Sequence, residues 1–489
     1  MKKRARLWAV PFIALIVFLG SHVFISAPGS MGVDPPLMYT QPYLLSLQPM
    51  TSMSICWLTS QPAVNSYVEY GPEEKYLHQE KAVTYQIVGL KTVDSSGNYT
   101  IDLPVYQQIA CLKGLQPGTR YYYRAVSEGQ SEKKITPGYH FNTAPLPGHP
   151  LKFILLSDLQ LAAQGAGTVK MAGQQNADFI IYNGDFTNTP AKAGEWFTVP
   201  GTREENSRRW FNVMQQTQED CQLLQYLPIF PSPGNHEIDQ QELLDDKTKT
   251  DREDLSLRIY LQLFRPLYPR QQYWPDGKHW YSVDYGDMHI VSLSLFRWFA
   301  WPAVERPGWY LFDDIEAGSP QYKWLKRDLP KARGLKYKWI AMHWHMFNRS
   351  NDLKVPFTDP VPIFQDPNRM TYSAAEDYLL RDFKPLLEKY GVDAVSYGHT
   401  HVYERYRING IHYIEASSNG NNYRSPNDPR CSPNGYCPEF EENRFRSFLL
   451  VSVDPHSGMV GQGIQASVEA NRIGSLGRVF DSFPISPPK

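Results

Sequence analysis

Between residues 158 and 401, five short segments carry side chains of the types that bind metal ions. They are Asp158, Gly184-Asp185, Gly234-Asn235-His236-Glu237, His343 and Gly398-His399-Thr400-His401. Each fragment alone is a weak signal, but five in this order, mostly after strand-like apolar runs, are hard to obtain by chance. Two ions about 3.5–4 Å apart require one shared carboxylate, with imidazoles and oxygen donors completing each shell. Such a pair acidifies a water between the ions and neutralises the charge of an anionic substrate.

The elements that must position these residues are legible in the hydrophobic pattern. Phe153-Ile154-Leu155-Leu156 runs into Ser157-Asp158, and Phe179-Ile180-Ile181-Tyr182 runs into Asn183-Gly184-Asp185. Each strand thus delivers an aspartate at its C-terminal end, where open α/β sheets bind ligands. Lys338 to Met342 reads as a third strand leading into His343 and His345, which can share a face by alternation. Apolar strands that end in polar loops, separated by helical stretches, continue from Leu151 and give the rhythm of a layered α/β domain. Trp210, Phe211, Met214, Leu223 and Leu224 recur at roughly helical spacing between Asn206 and Tyr226, and Phe383 to Tyr390 reads as a helix stopped by Gly391. The charged stretch Asp239 to Asp254 reads as a solvated insertion.

Upstream the texture is different. Met53, Ile55 and Trp57 alternate with Ser54, Cys56 and Leu58, the period of a half-buried strand. Further strands are expected at Tyr67 to Gly71, Ile109 to Leu112 and Tyr121 to Val126, separated by turn residues such as Gln116-Pro117-Gly118-Thr119. This spacing suits a small β-sandwich, with Thr143 to Gly148 as the linker.

With 489 residues the chain is long enough for two or three units. Lys+Arg 49 against Asp+Glu 50 leaves no nucleic-acid footprint, so affinity for an anion must be local. Met1-Lys2-Lys3-Arg4-Ala5-Arg6 followed by the apolar run Leu7 to Ile25 reads as an export signal, either cleaved or retained as a membrane anchor. The protein is then expected to be secreted, periplasmic or anchored to the outer side of a membrane. In such an oxidising compartment Cys431 and Cys437 can close a small loop, Cys56 and Cys111 could pair or stay free, and Cys221 is expected to stay single.

The ordered motifs resemble the calcineurin-like metallophosphoesterase superfamily, whose pattern is D, GD, GNH[DE], H, GHxH. Leu115-Gln116-Pro117-Gly118-Thr119-Arg120-Tyr121-Tyr122-Tyr123 resembles the fibronectin type III-like domain that precedes the catalytic domain of purple acid phosphatases. Ser319 to Leu325, His399 to Arg405 and Ala466 to Glu469 extend that likeness over nearly the whole exported chain. The resemblance implies a signal or anchor over 1–30, a β-sandwich over 34–146, and an α/β domain of α/β/β/α layers over 150–489. It implies Asp185 as the bridging ligand, Asp158 and His401 on a first ion, and Asn235, His343 and His399 on a second. His236 is then catalytic, contacting phosphate or protonating the leaving group. His343 is preferred to His345 because the family places the ligand at the end of that strand; His345 becomes an outer-shell or substrate-side residue, or an exposed loop histidine. His279, His289 and His412 lack motif context and read as ordinary histidines.

Two departures concern the first ion. Where purple acid phosphatases carry the tyrosine of GDxxY, this chain has Asn188, and where other members carry a histidine two residues after the first aspartate it has Gln160. Gln160 is read as a variant, neutral ligand and Asn188 as a residue that orients His236, with a loop cap as its alternative. The cofactors expected are two divalent or mixed-valence ions, iron, manganese or zinc, and the partner a small phosphate ester. Monoester against diester depends on pocket walls such as Phe296 to Ile315, whose aromatics are expected to pack on the sandwich rather than to line the substrate. The competing reading, an exported binding module with a vestigial site, draws on Gln160 and Asn188. Against it, none of the motif histidines is missing.

Overall fold

The computed structural model describes residues 36–93, 99–160, 162–200, 209–215, 223–238, 257–268, 279–300, 309–312, 316–347, 379–416, 430–432, 435–467 and 476–489. The N-terminal apolar run, Cys221 and the Asp239 to Asp254 insertion lie outside them. No helix among the described residues is long and apolar enough to cross a membrane.

Residues from Tyr43 to Asn142 form two facing antiparallel sheets. One has the order Tyr43–Leu45, Ser52–Thr59, Val105–Lys113, Val83–Ile87; the other has Lys133–Ile135, Arg120–Glu128, Asn65–Gly71, His78–Lys81, with Tyr139–Asn142 also on Arg120–Glu128. Met53, Ile55 and Trp57 point into the core between them, with Val68, Leu112, Tyr123 and Phe141. The strand Ser52–Thr59 is not half-buried, as its alternation suggests, but buried on both faces. Cys56 and Leu58, on the opposite face, belong to the core cluster that contains Phe153, Tyr182 and Phe264 of the larger domain. Tyr43 Oη and Gln107 Nε2 both donate to the Leu263 carbonyl, at 2.8 and 2.7 Å, and Tyr123 Oη donates to that of Gln225 at 2.7 Å. Buried polar groups are thus paired across the junction, which makes it an extension of the core rather than a hinge.

The larger domain is built on two sheets. The first runs Ile229–Ser232, Phe179–Asn183, Leu151–Leu156, Ser447–Asp454, Gly458–Gln465, Val479–Ser486. The second runs Tyr281–Tyr285, Met288–Ser292, Tyr337–Ala341, Ala394–Tyr397, Ile411–Glu415, Tyr403–Ile408, Phe440–Glu442. Phe153 stacks on Phe179 at 5.0 Å and meets Trp339 of the second sheet edge-on at 4.9 Å, so these rings fill the space between the sheets. On the far face of the second sheet, Val291, Ile340 and Val395 pack with Leu325 of the helix Pro320–Asp328 and Leu386 and Leu387 of the helix Lys384–Lys389. Central strands covered on both faces need apolar residues at every position, hence FILL and FIIY rather than alternation.

The expected helix between Asn206 and Tyr226 is observed as Trp210–Gln215, with residues 216–222 outside the description. The helix near Phe383 ends before Gly391, which takes φ +62°, as a helix-terminating glycine should. Cys431 and Cys437 are disulfide-bonded, whereas Cys56 and Cys111 are free thiols.

Candidate metal centre

All five motifs meet at one edge. In the first sheet Leu151–Leu156, Phe179–Asn183 and Ile229–Ser232 are mutually parallel, and in the second so are Tyr337–Ala341 and Ala394–Tyr397. Asp158, Asp185, Asn235, His343 and the pair His399 and His401 each follow one of these strands. The sheets are tied at this edge through Asn183: its carbonyl accepts from His343 Nδ1 at 2.6 Å, and its Oδ1 accepts from Ser396 Oγ at 3.3 Å.

The loops are forced close together. Asp158 and Asp185 both take φ +57°, His399 +86° and His401 +58°, a left-handed backbone that costs a non-glycine residue about 1–3 kcal/mol and is retained where the surroundings dictate it. Gly184 and Gly398 have no room for a side chain. A Cβ on Gly184 would stand 2.6 Å from the Gly234 nitrogen, and one on Gly398 would stand 2.5 Å from Asp158 Oδ2. The glycine in each motif is therefore the contact that lets neighbouring ligand loops touch.

Two groups of donor atoms result, Asp185 with His343 and His399, and Asp158 with Asp185 and His401, so Asp185 is common to both. Asn235 Oδ1 lies 2.9 Å from His399 Nδ1 and 3.1 Å from His343 Nε2, and that nitrogen is 3.2 Å from Asp185 Oδ2. His401 Nε2 lies 3.4 Å from Asp158 Oδ1 and 3.0 Å from Gln160 Nε2. Donors about 2.1 Å from a common cation sit roughly 3 Å apart when adjacent in its shell, so this spacing fits a transition-metal ion in each group. Asp158 Oδ2 and Gln160 Oε1 are buried acceptors without a hydrogen-bond partner among the described residues, as expected of atoms reserved for a cation. A half-turn of the Gln160 amide would put its oxygen beside His401.

The electrostatics agree. Burial pushes the His343 imidazole down, but Asp185 and Asp158 more than offset this and raise it to about 9. Asp185 is held below the usual carboxylate range: burial opposes ionisation, and His343 and then His236 outweigh it. Burial, with the charge on His343 and His345, drives His399 well down, which keeps that imidazole a neutral donor. Because a carbonyl can only accept, the Asn183 bond fixes the proton of neutral His343 on Nδ1 and turns Nε2 toward the cluster.

Around this cluster stand residues that the motifs placed less well. His236 is half-buried on the turn Asn235–Glu237, and its Nδ1 donates to the backbone carbonyl of Asn188 at 3.0 Å. The Asn188 side chain points elsewhere, its Nδ2 donating to the Gln160 carbonyl at 3.2 Å. Buried His345 stacks on His399 with ring centres 5.6 Å apart, beside the second donor group and not in a solvated loop. The strand Phe296–Ala300 has its backbone alongside the Asn235–Glu237 turn, while the packing of the aromatic side chains of Phe296 to Ile315 lies outside the described residues. His289 is structural, bracketed by Asp284 at 2.6 Å and Asp328 at 3.1 Å on a cleft of about 560 Å³ that shares no lining residue with the cluster.

Two glutamates escaped the sequence reading. Glu237, noticed only as part of a motif, accepts from the backbone nitrogens of Gly234, Asp185 and Phe186 at 2.6, 2.8 and 2.8 Å and so pins two ligand loops together. Glu415 grips Thr400, between His399 and His401, with both carboxylate oxygens. Its signal in the sequence was a carboxylate ending the apolar strand Ile411–Glu415, the same signal that marks Asp158 and Asp185.

Two family models match the chain: "Calcineurin-like phosphoesterase" over residues 151–403 and "Purple acid Phosphatase, N-terminal domain" over residues 40–143. Purple acid phosphatase 15 of Arabidopsis thaliana is 26% identical over 398 residues, covering 77% of this chain and 65% of that protein. Purple acid phosphatase 23 of the same plant is 25% identical over 391 residues, covering 74% and 73% respectively. The chain thus spans just under two thirds of the length of the first of these relatives. Among solved structures, a purple acid phosphatase from yellow lupin (Lupinus luteus) seeds has a TM-score of 0.62 at 16% identity, covering 92% of this chain and 74% of that one. PhoD gives a TM-score of 0.60 at 14% identity over 92% and 91%. At such identities the structures attest the fold alone, a sheet-rich N-terminal domain followed by an α/β domain. Since the first family model takes in more than half of its residues, the chain belongs to the calcineurin-like phosphoesterase family.

Proposed function

We propose that this protein is an exported phosphatase that hydrolyses phosphate monoesters at a centre of two divalent cations. The observation that carries the reading is the pair of donor groups that share Asp185. Asp158 and His401, with the Gln160 amide oxygen, would hold one ion; Asn235, His343 and His399 would hold the other. When bound, the ions supply charge neutralisation at the phosphate and acidify water for attack on phosphorus.

The remaining steps fall to the chain. With Nδ1 held on the Asn188 carbonyl, protonated His236 would give a proton from Nε2 to the leaving oxygen. The carbonyl is itself fixed, since Glu195 accepts from the backbone nitrogens of Asn188 and Thr189 at 2.7 and 2.9 Å. The donor set contains two carboxylates, Asp158 and Asp185. Against two divalent cations these leave two positive charges, which a phosphate ester and the attacking hydroxide would offset. Neutral Gln160 favours divalent manganese, iron or zinc over a ferric ion.

Residues 34–146 act as a supporting sandwich and 150–489 as the catalytic unit, and the apolar run from Leu7 to Ile25 directs export. Fractionation of cells expressing the full chain tests the last point: retention in the cytoplasm contradicts it. For the enzyme, Asp185→Asn should abolish metal-dependent hydrolysis of an aryl phosphate, and unchanged turnover would sink the proposal.

A further inference from the structure

Glu415 ends a strand that runs parallel to Ala394–Tyr397, with Tyr397 and Glu415 as register partners. Its carboxylate therefore reaches the loop that begins at Gly398. There Oε1 accepts from the Thr400 backbone nitrogen and Oε2 from Thr400 Oγ1, both at 2.8 Å, and the glutamate is fully buried. The residues on either side, His399 and His401, hold left-handed backbones that need external support. His399 has some, because its nitrogen donates to Asp158 Oδ1 at 3.0 Å. Thr400 is the hinge between the two imidazoles, which belong to different donor groups, and Glu415 fixes both its backbone and its side chain.

We propose that Glu415 is a positioning residue whose grip on Thr400 sets the bite between His399 and His401, and so the affinity of the centre for both of its cations. The inference rests on the functional reading above but concerns a residue that touches neither ion nor substrate. Its chemistry separates position from charge. A glutamine at 415 can accept from the Thr400 nitrogen through Oε1 and donate to Thr400 Oγ1 through Nε2, so the grip survives without an ionisable group. An alanine loses both.

The test is Mn²⁺ titration of the metal-stripped full chain by calorimetry, with ion content after dialysis and the thermal midpoint of the stripped protein measured alongside. Glu415→Ala is expected to weaken Mn²⁺ binding by about 10–100-fold, as loss of a group that orients metal ligands does elsewhere. Glu415→Gln should stay within about threefold of the parent, because the grip is kept. Thr400→Val, which loses one arm at a half-buried position and should fold, is expected to fall between them. Parental affinity in Glu415→Ala or Thr400→Val overturns the proposal, even where the thermal midpoint falls. Equal weakening in Glu415→Gln and Glu415→Ala overturns it in favour of a charge effect. A parent chain that binds no Mn²⁺ removes the functional reading and this inference with it; a parent that binds two ions leaves the variants to decide this point alone.

Discussion

Removal of Asp481 should expose how the two sheets are locked together behind the metal-binding edge. Asp481 lies on the last strand of the first sheet and meets Arg405 of the second, with Oδ2 3.0 Å from Nε and Oδ1 3.4 Å from Nη2. Tyr403 Oη donates to the same carboxylate at 3.0 Å. The Asp481 and Arg405 side chains are only 6% and 10% exposed, so water cannot replace a lost partner. Removing one member of such a buried pair costs about 3–5 kcal/mol, because the other charge is stranded. Glu439, 44% exposed, still reaches Arg405 Nη1 and relieves part of that burden. The expectation for Asp481→Ala is therefore about 3 kcal/mol of lost stability. Adding Arg405→Met removes the stranded guanidinium and should recover about 1–2 kcal/mol, leaving mainly the unsatisfied Tyr403 hydroxyl. The assay is urea denaturation of the parent, both single variants and the double variant, compared as a cycle. A loss below about 1 kcal/mol for Asp481→Ala, or a double variant no better than the single one, refutes the reasoning that a stranded buried charge dominates.

Three other expectations follow from the same geometry. Because His343 titrates near 9 and must be neutral to ligate, a cation displaces its proton: affinity should rise roughly tenfold per pH unit up to about that value, with about one proton released at pH 7 by calorimetry in buffers of different ionisation enthalpy. His412 is buried and pushed down to about 4 from 6.5, chiefly by burial and then by Arg405 and Arg407. Its contribution to stability is intact above 6.5 and is lost as the pH falls through 4, by about 3 kcal/mol; His412→Phe should flatten that acid limb in pH-dependent urea melts. Since a backbone carbonyl orients His236, Asn188→Ala should lower kcat less than tenfold, while His236→Ala should lower it by about 10²–10⁴; equal losses would show that the Asn188 side chain matters after all.

The central strands and the order of the candidate donors were legible because burial on both faces leaves a continuous apolar run, and each run ends in a residue with metal-ligand chemistry. The sandwich strands were legible for the same kind of reason, but the second buried face of Ser52–Thr59 was not. Cys56 and Leu58 are covered by the larger domain, and local alternation carries no record of a partner more than a hundred residues away. Glu415 carries the signal of a carboxylate at a strand end, but which loop that carboxylate reaches depends on the lateral register of two strands, which spacing along the chain does not encode. The contact between His236 and Asn188 runs through the Asn188 backbone carbonyl, which any residue type supplies, so the identity of residue 188 does not encode it.

A centre built on a shared carboxylate requires Asp185 to join two ions. Elemental analysis of the purified full chain, saturated with Mn²⁺ and freed of loosely bound metal, should give two ions per parent chain and at most one in Asp185→Ala. A parent chain that holds a single ion, or an Asp185→Ala chain that keeps two, contradicts the shared-carboxylate centre.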